Sequence, residues 1–333
     1  MSKRIYIYLI GLLVCDKIYS QDPHFTQFNA APITINPNYV GVFDGNVRIT
    51  SNQRRQWFNV FDPYLTTSLG LDFKLKLKSS ENNLQNPLNL GVFILSDRSL
   101  KSAYKSDCVS SAISYHVTLD NDGYMSLGGA LFGSYTSKRL DFNSLSFDAQ
   151  FVANGFDLRL PNGESNITNL KPFATVGAGL LYLYNNPDDG SFFDFGISGY
   201  NLNQPNQTFY SDTTSILPFR ISSHLSYQKY FNDKSYFSVK AIFQKQGNVK
   251  YILGGFTLGR AIGSNEENKY LIGVGAWYRT GDAISPQLIL DIKKIQLGIS
   301  YDIAFNDLKN GPKPAKSIEF SLQWRIGSSQ NRN

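Results

Sequence analysis

The chain has 333 residues and a formal net charge of +6 at neutral pH, from 32 Lys and Arg against 26 Asp and Glu. Charged residues make up 17%, below the roughly one quarter usual in a soluble domain, while a mean hydropathy of −0.25 excludes a bundle of apolar transmembrane helices. No basic run interleaved with aromatics suggests a nucleic-acid surface, so the excess of cations is read as scattered loop and lumen Lys and Arg. With 20 Tyr, 24 Phe and 27 Gly, the composition suits a membrane β-barrel, whose outward residues meet lipid and whose inward residues meet water, so that hydropathy averages near zero.

The first 20 residues read as a cleavable signal peptide. Lys3 and Arg4 form a positive start, Ile5 to Val14 an apolar run, and Ser20 a small residue before cleavage at Gln21. The apolar run is about half the length of a bilayer-spanning helix. Val14 stands before Cys15 where a lipid anchor wants a small residue, and Asp16 and Lys17 end the run. With Cys15 removed, Cys108 stays alone, and no Cys/His spacing resembles a metal site.

From there to the C-terminus the dominant signal is alternation with a period of two. Leu65 to Lys78 places Leu, Thr, Leu, Leu, Phe, Leu, Leu on one face and Thr, Ser, Gly, Asp and three Lys on the other. Ile295, Leu297, Ile299, Tyr301 and Ile303 oppose Gln296, Gly298, Ser300 and Asp302. Ile318, Phe320, Leu322, Trp324 and Ile326 oppose Glu319, Ser321, Gln323 and Arg325. Such segments predict about fourteen strands, an even number. They begin near Val47, Leu65, Leu90, Asp107, Tyr124, Phe173, Phe192, Arg220, Tyr236, Tyr251, Tyr270, Ser285, Ile295 and Ser317. Short connections on one side (Leu119 to Gly123, Asn185 to Gly190, Asn232 to Lys234, Lys293-Lys294) fit periplasmic turns, and the longest connections (Ser137 to Leu170, Asn201 to Leu217) fall on the other, although two outer connections, Lys245 to Asn248 and Thr280 to Ala283, are short. The expected fold is therefore an all-β transmembrane antiparallel β-barrel of about 14 strands with an N-terminal periplasmic or plug segment. The expected division is a signal peptide over 1–20, that segment over 21–44, the barrel over 45–327 and a tail over 328–333, in the outer membrane.

Residues 21–44, QDPHFTQFNAAPITINPNYVGVFD, carry three prolines and many amides, which argue against a strand or helix. Asp22-Pro23 and Asn36-Pro37 favour turns, because proline restricts the residue before it. This stretch carries a family resemblance. Asp22-Pro23-His24-Phe25-Thr26-Gln27-Phe28 followed by Asn36-Pro37-Asn38-Tyr39-Val40-Gly41 resembles the opening of the PorP/SprF family of type IX secretion membrane proteins, roughly DPxFSQ and then LNPAYAG. Arg48 leading to Gln53-Arg54-Arg55-Gln56-Trp57 looks like the family's RxQW segment. Asn201 to Asn206 resembles its Asn-rich loop, and Tyr301-Asp302 and Glu319 to Leu322 its closing strands. Thr26, Asn38, and Ala304 with Asn306 depart from the pattern.

The resemblance implies a non-enzymatic outer-membrane component supporting export or surface attachment of cargo. Its partners would be the periplasmic ring proteins of the type IX machinery or one dedicated secreted adhesin, with outer-membrane lipid around it. It also implies contact roles for Asp22, Pro23, Phe25, Gln27, Asn36, Pro37, Tyr39, Gly41, Arg54, Gln56 and Trp57, which would join at the periplasmic mouth or lumen to fix a plug or dock a partner. The rival readings are a passive pore or hydrophobic-solute transporter and an outer-membrane lipid hydrolase. For the last, Ser114 with His116 and Ser222 with His224 share strand faces, yet two-residue spacing does not assure the contact a nucleophile needs. Asp188-Asp189-Gly190 lacks the ligands of a calcium loop and is read as a turn. No catalytic residue, metal or cofactor is expected.

Overall fold

The computed structural model describes residues 24–59, 62–75, 88–163, 170–208, 215–232, 235–262, 270–305 and 315–327. The signal peptide, Asp22, Pro23 and the C-terminal tail lie outside these.

Fourteen strands form one closed antiparallel barrel. They are β1 (Val47–Gln56), β2 (Tyr64–Leu75), β3 (Leu88–Ser99), β4 (Tyr104–Thr118), β5 (Met125–Leu140), β8 (Phe173–Asn186), β9 (Ser191–Tyr200), β10 (Arg220–Asn232), β11 (Ser235–Gln246), β12 (Val249–Ile262), β13 (Tyr270–Arg279), β14 (Ala283–Ile292), β15 (Ile295–Ala304) and β16 (Lys316–Ile326). Two short strands, β6 (Phe151–Val152) and β7 (Gly155–Phe156), pair as a separate hairpin in the long connection between β5 and β8. Neighbours follow chain order, and β1 closes on β16 with Val47 opposite Ile326 and Gln56 opposite Ser317. In a hydrocarbon slab no water can satisfy a bare sheet edge, so closure is the arrangement that leaves no backbone donor exposed to lipid. Every predicted strand is present. The largest displacement is in β4, which starts at Tyr104 rather than near Asp107.

The faces are sorted inside out relative to a soluble protein. Leu131 (66%), Val274 (60%) and Leu180 (57%) point outward and are strongly exposed, whereas Asn52, Ser114, Ser222 and Ser285 point inward and are buried. An exposed apolar belt of this extent on a soluble protein would drive aggregation, and on a barrel it is the lipid contact. Exposed aromatics edge the belt at both ends. Tyr64, Tyr135 and Tyr278 mark one end, and Tyr115, Tyr227, Tyr270 and Trp324 the other, as interfacial girdles do.

The second end also carries the start of β1 and the end of β16, joined by the Asn46 N–H to the Ile326 carbonyl at 2.8 Å. The connections there include the four-residue turn before Ser191 and the two-residue turn Lys293-Lys294, while the opposite end bears the connections from 141 to 172 and from 201 to 219. The short-turn end is the periplasmic end by the general asymmetry of such barrels.

Candidate functional site: the N-terminal segment inside the wall and the vestibule above it

Residues 24–42 lie inside the barrel wall, touching inward side chains around its circumference. The segment contains three single 3-10 turns, Phe28–Ala30, Pro32–Thr34 and Pro37–Tyr39, of which the second and third open on a proline with fixed φ. The Asn36 side chain accepts from Asn38 N–H at 2.9 Å and so starts the third turn. The expectation of neither strand nor helix is refined to these turns, each too short to leave a periodicity.

The segment fills its surroundings with apolar side chains where the inward strand faces are otherwise polar. Phe25, Ala31, Ile33 and Val40 pack with Phe93 and Ala112, and Phe28 and Ile35 pack with Ile242, Leu253 and Trp277. Phe28 meets Trp277 edge-on with 5.3 Å between ring centres. Phe25→Ala is expected to cost about 3–5 kcal/mol of segment docking. Denaturant titration should show it as earlier protease access to residues 24–42 while the barrel stays folded.

Polar contacts tie the segment at three heights. In the outer half, Glu319 of β16 accepts the backbone N–H of Thr26 (2.9 Å) and Gln27 (2.7 Å) and the Asn52 amide (2.9 Å). Beside it, Asp302 of β15 accepts from Arg54 (2.7 Å), Arg279 (2.9 Å) and Ser285 (2.6 Å), and Arg279 also donates to the Thr26 hydroxyl (2.7 Å). Midway, Asn36 donates to the Leu180 carbonyl (2.9 Å), Ser198 and Tyr200 donate to the carbonyls of Ile35 and Ile33 (2.6 Å each), and Tyr39 donates to Asp194 (2.7 Å). Toward the periplasmic end, Arg48 grips Asp72 with two nitrogens (3.0 and 2.7 Å) while donating to the carbonyls of Tyr39 and Val42, and Asp72 accepts Gly41 N–H at 3.0 Å.

Two glycines reflect how closely the segment approaches the wall. A Cβ at Gly179 would collide with Asn36 Oδ1, and one at Gly298 with Gln27 Oε1. Gly41 itself has φ +82°, a left-handed conformation that favours glycine.

The predicted site residues divide accordingly. Phe25, Gln27, Asn36, Pro37, Tyr39, Gly41 and Arg54 are brought together in the lumen. Gln56 lines the space above them. Trp57 stands apart in the outer turn after β1, with φ 58° and its ring edge-on to Tyr64 at 5.2 Å. It is at the outer rim, away from any periplasmic mouth. The charged partners Arg48, Asp72, Asp194, Arg279, Asp302 and Glu319 were not singled out from the sequence as contacts. The available signal was an isolated acid on an otherwise neutral inward face, as at Asp302 and Glu319.

Ser114, His116 and His224 serve the same segment, while the Ser222 hydroxyl accepts from the Gln244 amide at 3.1 Å. Ser114 donates to the Val40 carbonyl (2.8 Å) and His116 Nε2 lies 3.2 Å from the Asn38 carbonyl, while His224 Nε2 is 3.6 Å from Asp194 and its ring lies against Tyr39. Among the described residues no group of three His, Cys, Asp or Glu is placed to hold a metal ion.

His24 is stacked on Tyr251 with 4.2 Å between ring centres. Burial, then the charges of Arg220, Arg279 and Arg54, hold its imidazole neutral, with a pKa lowered to about 3. A released segment would regain an ordinary histidine near 6.5. The released form therefore binds the extra proton between pH 6.5 and about 3, and docking weakens as pH falls through that window. Protease access to residues 24–42 is expected to rise from pH 7 to pH 4, and to rise less in His24→Asn. The Tyr39 phenol, buried and facing Asp194, is pushed well above its usual value and stays a donor.

Above the segment, toward the outer end, lies a cavity of about 710 Å³ floored by His24, Ile33 and Thr34. Its walls carry hydroxyls, aromatic rings, and the cations Arg54, Lys138, Arg220, Lys250 and Arg279.

A closed fourteen-stranded wall, apolar outside and polar within, defines a β-barrel of the outer membrane. The chain belongs to the PorP/SprF family of type IX secretion system membrane proteins, whose family model matches residues 18–324. No curated protein matches the sequence. Among solved structures, the Pseudomonas putida toluene transporter TodX is similar in fold, with 10% identity, 93% of this chain and 99% of that chain covered, and a TM-score of 0.53. A Pseudomonas aeruginosa FadL homologue is similar over 86% of this chain and 91% of its own, at 12% identity and a TM-score of 0.47.

Proposed function

We propose that this protein, an outer-membrane component of type IX secretion by family, supports export or surface attachment of a dedicated adhesin, with residues 24–42 closing the lumen as a plug. The observation that carries the closed-lumen reading is the ladder of buried contacts from Glu319 through Asp194 to Asp72, which fixes the segment at three heights. A barrel held shut in this way suits a scaffold for machinery and cargo better than a passive pore. The family match supports the secretion role, with periplasmic ring proteins or the adhesin as partners and no chemistry required of the barrel itself.

Affinity capture of the tagged protein from detergent-solubilised outer membrane, with mass spectrometry of co-purifying chains, tests this. Recovery of one large surface adhesin is expected. Recovery of ring components alone would replace the adhesin role with a core one. A barrel recovered in good yield without either would move the weight to the transporter reading, under which the TodX likeness would acquire functional meaning.

A further inference from the structure

The vestibule above the N-terminal segment combines three properties. It is enclosed by the outer halves of the strands and floored by the segment, so its ligand enters from the cell exterior. Its lining holds five cations, Arg54, Lys138, Arg220, Lys250 and Arg279, from five different strands, against two acids, Asp97 and Asp282. Beneath the floor, Asp302 and Glu319 engage Arg54 and Arg279, but their oxygens already accept the segment and wall donors described above and neither lines the cavity.

A guanidinium matches a carboxylate in shape as well as charge, and three of the five lining cations are arginines.

Apolar surface then distinguishes between acidic ligands. Phe93, Phe132, Phe173 and Leu217 interrupt the polar lining, and such patches suit aliphatic or aromatic side chains, which a uronate sugar or a phosphate lacks. Cavities of this size lie within the roughly 300–1,000 Å³ usual for ligand sites.

We propose that the outer vestibule binds an acidic, side-chain-bearing polypeptide segment presented from the cell surface. This rests on the cargo-handling reading and deepens it by naming the chemistry recognised. Carboxylates of the segment meet Arg220, Lys138 and Lys250, while its apolar side chains rest on Phe93 and Phe132.

The test uses the full-length mature protein in detergent micelles and a fluorescein-labelled hexapeptide of alternating Glu and Phe, read by fluorescence anisotropy. Binding that weakens with salt is expected, as for a partly exposed charge contact. Replacing every Glu of the peptide by Lys should abolish it. Lys138→Glu combined with Lys250→Glu should weaken the acidic peptide by about tenfold or more, since like charges face each other, with the barrel fold unchanged by circular dichroism. Equal affinity for the two peptides, indifference to the double charge reversal, or displacement of the peptide by oligogalacturonate or inorganic phosphate at equal concentration would overturn the proposal. None of these readouts depends on co-purification of secretion components, so failure here leaves the secretion role standing, and failure there leaves the binding result intact.

Discussion

Glu319→Ala is expected to free the N-terminal segment and to make the barrel conduct ions. The Glu319 carboxylate is 2% exposed and takes the backbone N–H of Thr26 and Gln27 together with the Asn52 amide. Removing it leaves two backbone donors without their acceptor and deprives Arg54 of one of its two acidic neighbours at 3.7 Å. Breaking a buried, hydrogen-bonded charge of this kind costs about 3–5 kcal/mol, which at 1.4 kcal/mol per decade is a shift of about a hundred-fold to several thousand-fold toward the undocked segment. Planar-bilayer recording should show a small conductance for the unaltered protein and a large one for the variant, with Glu319→Gln between them because it keeps one acceptor oxygen. A variant as silent and as protease-resistant over residues 24–42 as the parent would show that the segment does not close the lumen.

The second large effect is expected at the other end. Asp72→Ala removes the partner of Arg48, which is 5% exposed and held by two hydrogen bonds to the carboxylate. It also strands Gly41 N–H. A buried guanidinium without its counter-ion is again worth about 3–5 kcal/mol. Because β1 and β2 carry the pair, the loss should fall on the barrel itself, read as a lower urea midpoint by tryptophan fluorescence. The double change Arg48→Met with Asp72→Leu is expected to recover most of the loss, since replacing a buried pair by apolar groups is often neutral or stabilising. If the double variant is as unstable as Asp72→Ala, the carbonyl contacts of Arg48 matter more than the charge.

Much of the architecture was legible because lipid and water sort alternate residues along each strand. A one-residue slip would exchange the two faces completely, so the alternation pins each strand and its register. β4 began earlier than the pattern suggested because the turn before it runs through Leu100, Lys101 and Ser102 at φ between 51° and 68°. No glycine stands in that turn to announce so tight a reversal, and Tyr104 to Ser106 extend the strand unadvertised.

The site was legible in part. The motif residues Phe25, Gln27, Tyr39 and Arg54 lie inside the wall at different heights, whereas Trp57, adjacent in the same motif, faces the outer rim, because β1 ends at Gln56 and the chain turns outward. The pairing of the acids with the segment is hidden in the sequence for a different reason. Glu319 and Gln27 are 292 positions apart, and no spacing rule spans such a distance. Their pairing is set by which strand closes the barrel.

That closure has a consequence for biogenesis. Thr26 and Gln27 are fastened by groups on the last two strands, Asp302 on β15 and Glu319 on β16. Contacts of such separation form late, because the closing entropy of the whole chain stands before them. Until β16 arrives beside β1, the backbone N–H groups of Thr26 and Gln27 lack their acceptor. Sealing the sheet thus completes the seating of its contents, and a translation product stopped before Glu319 would lack one of the handles by which a finished barrel holds its own beginning.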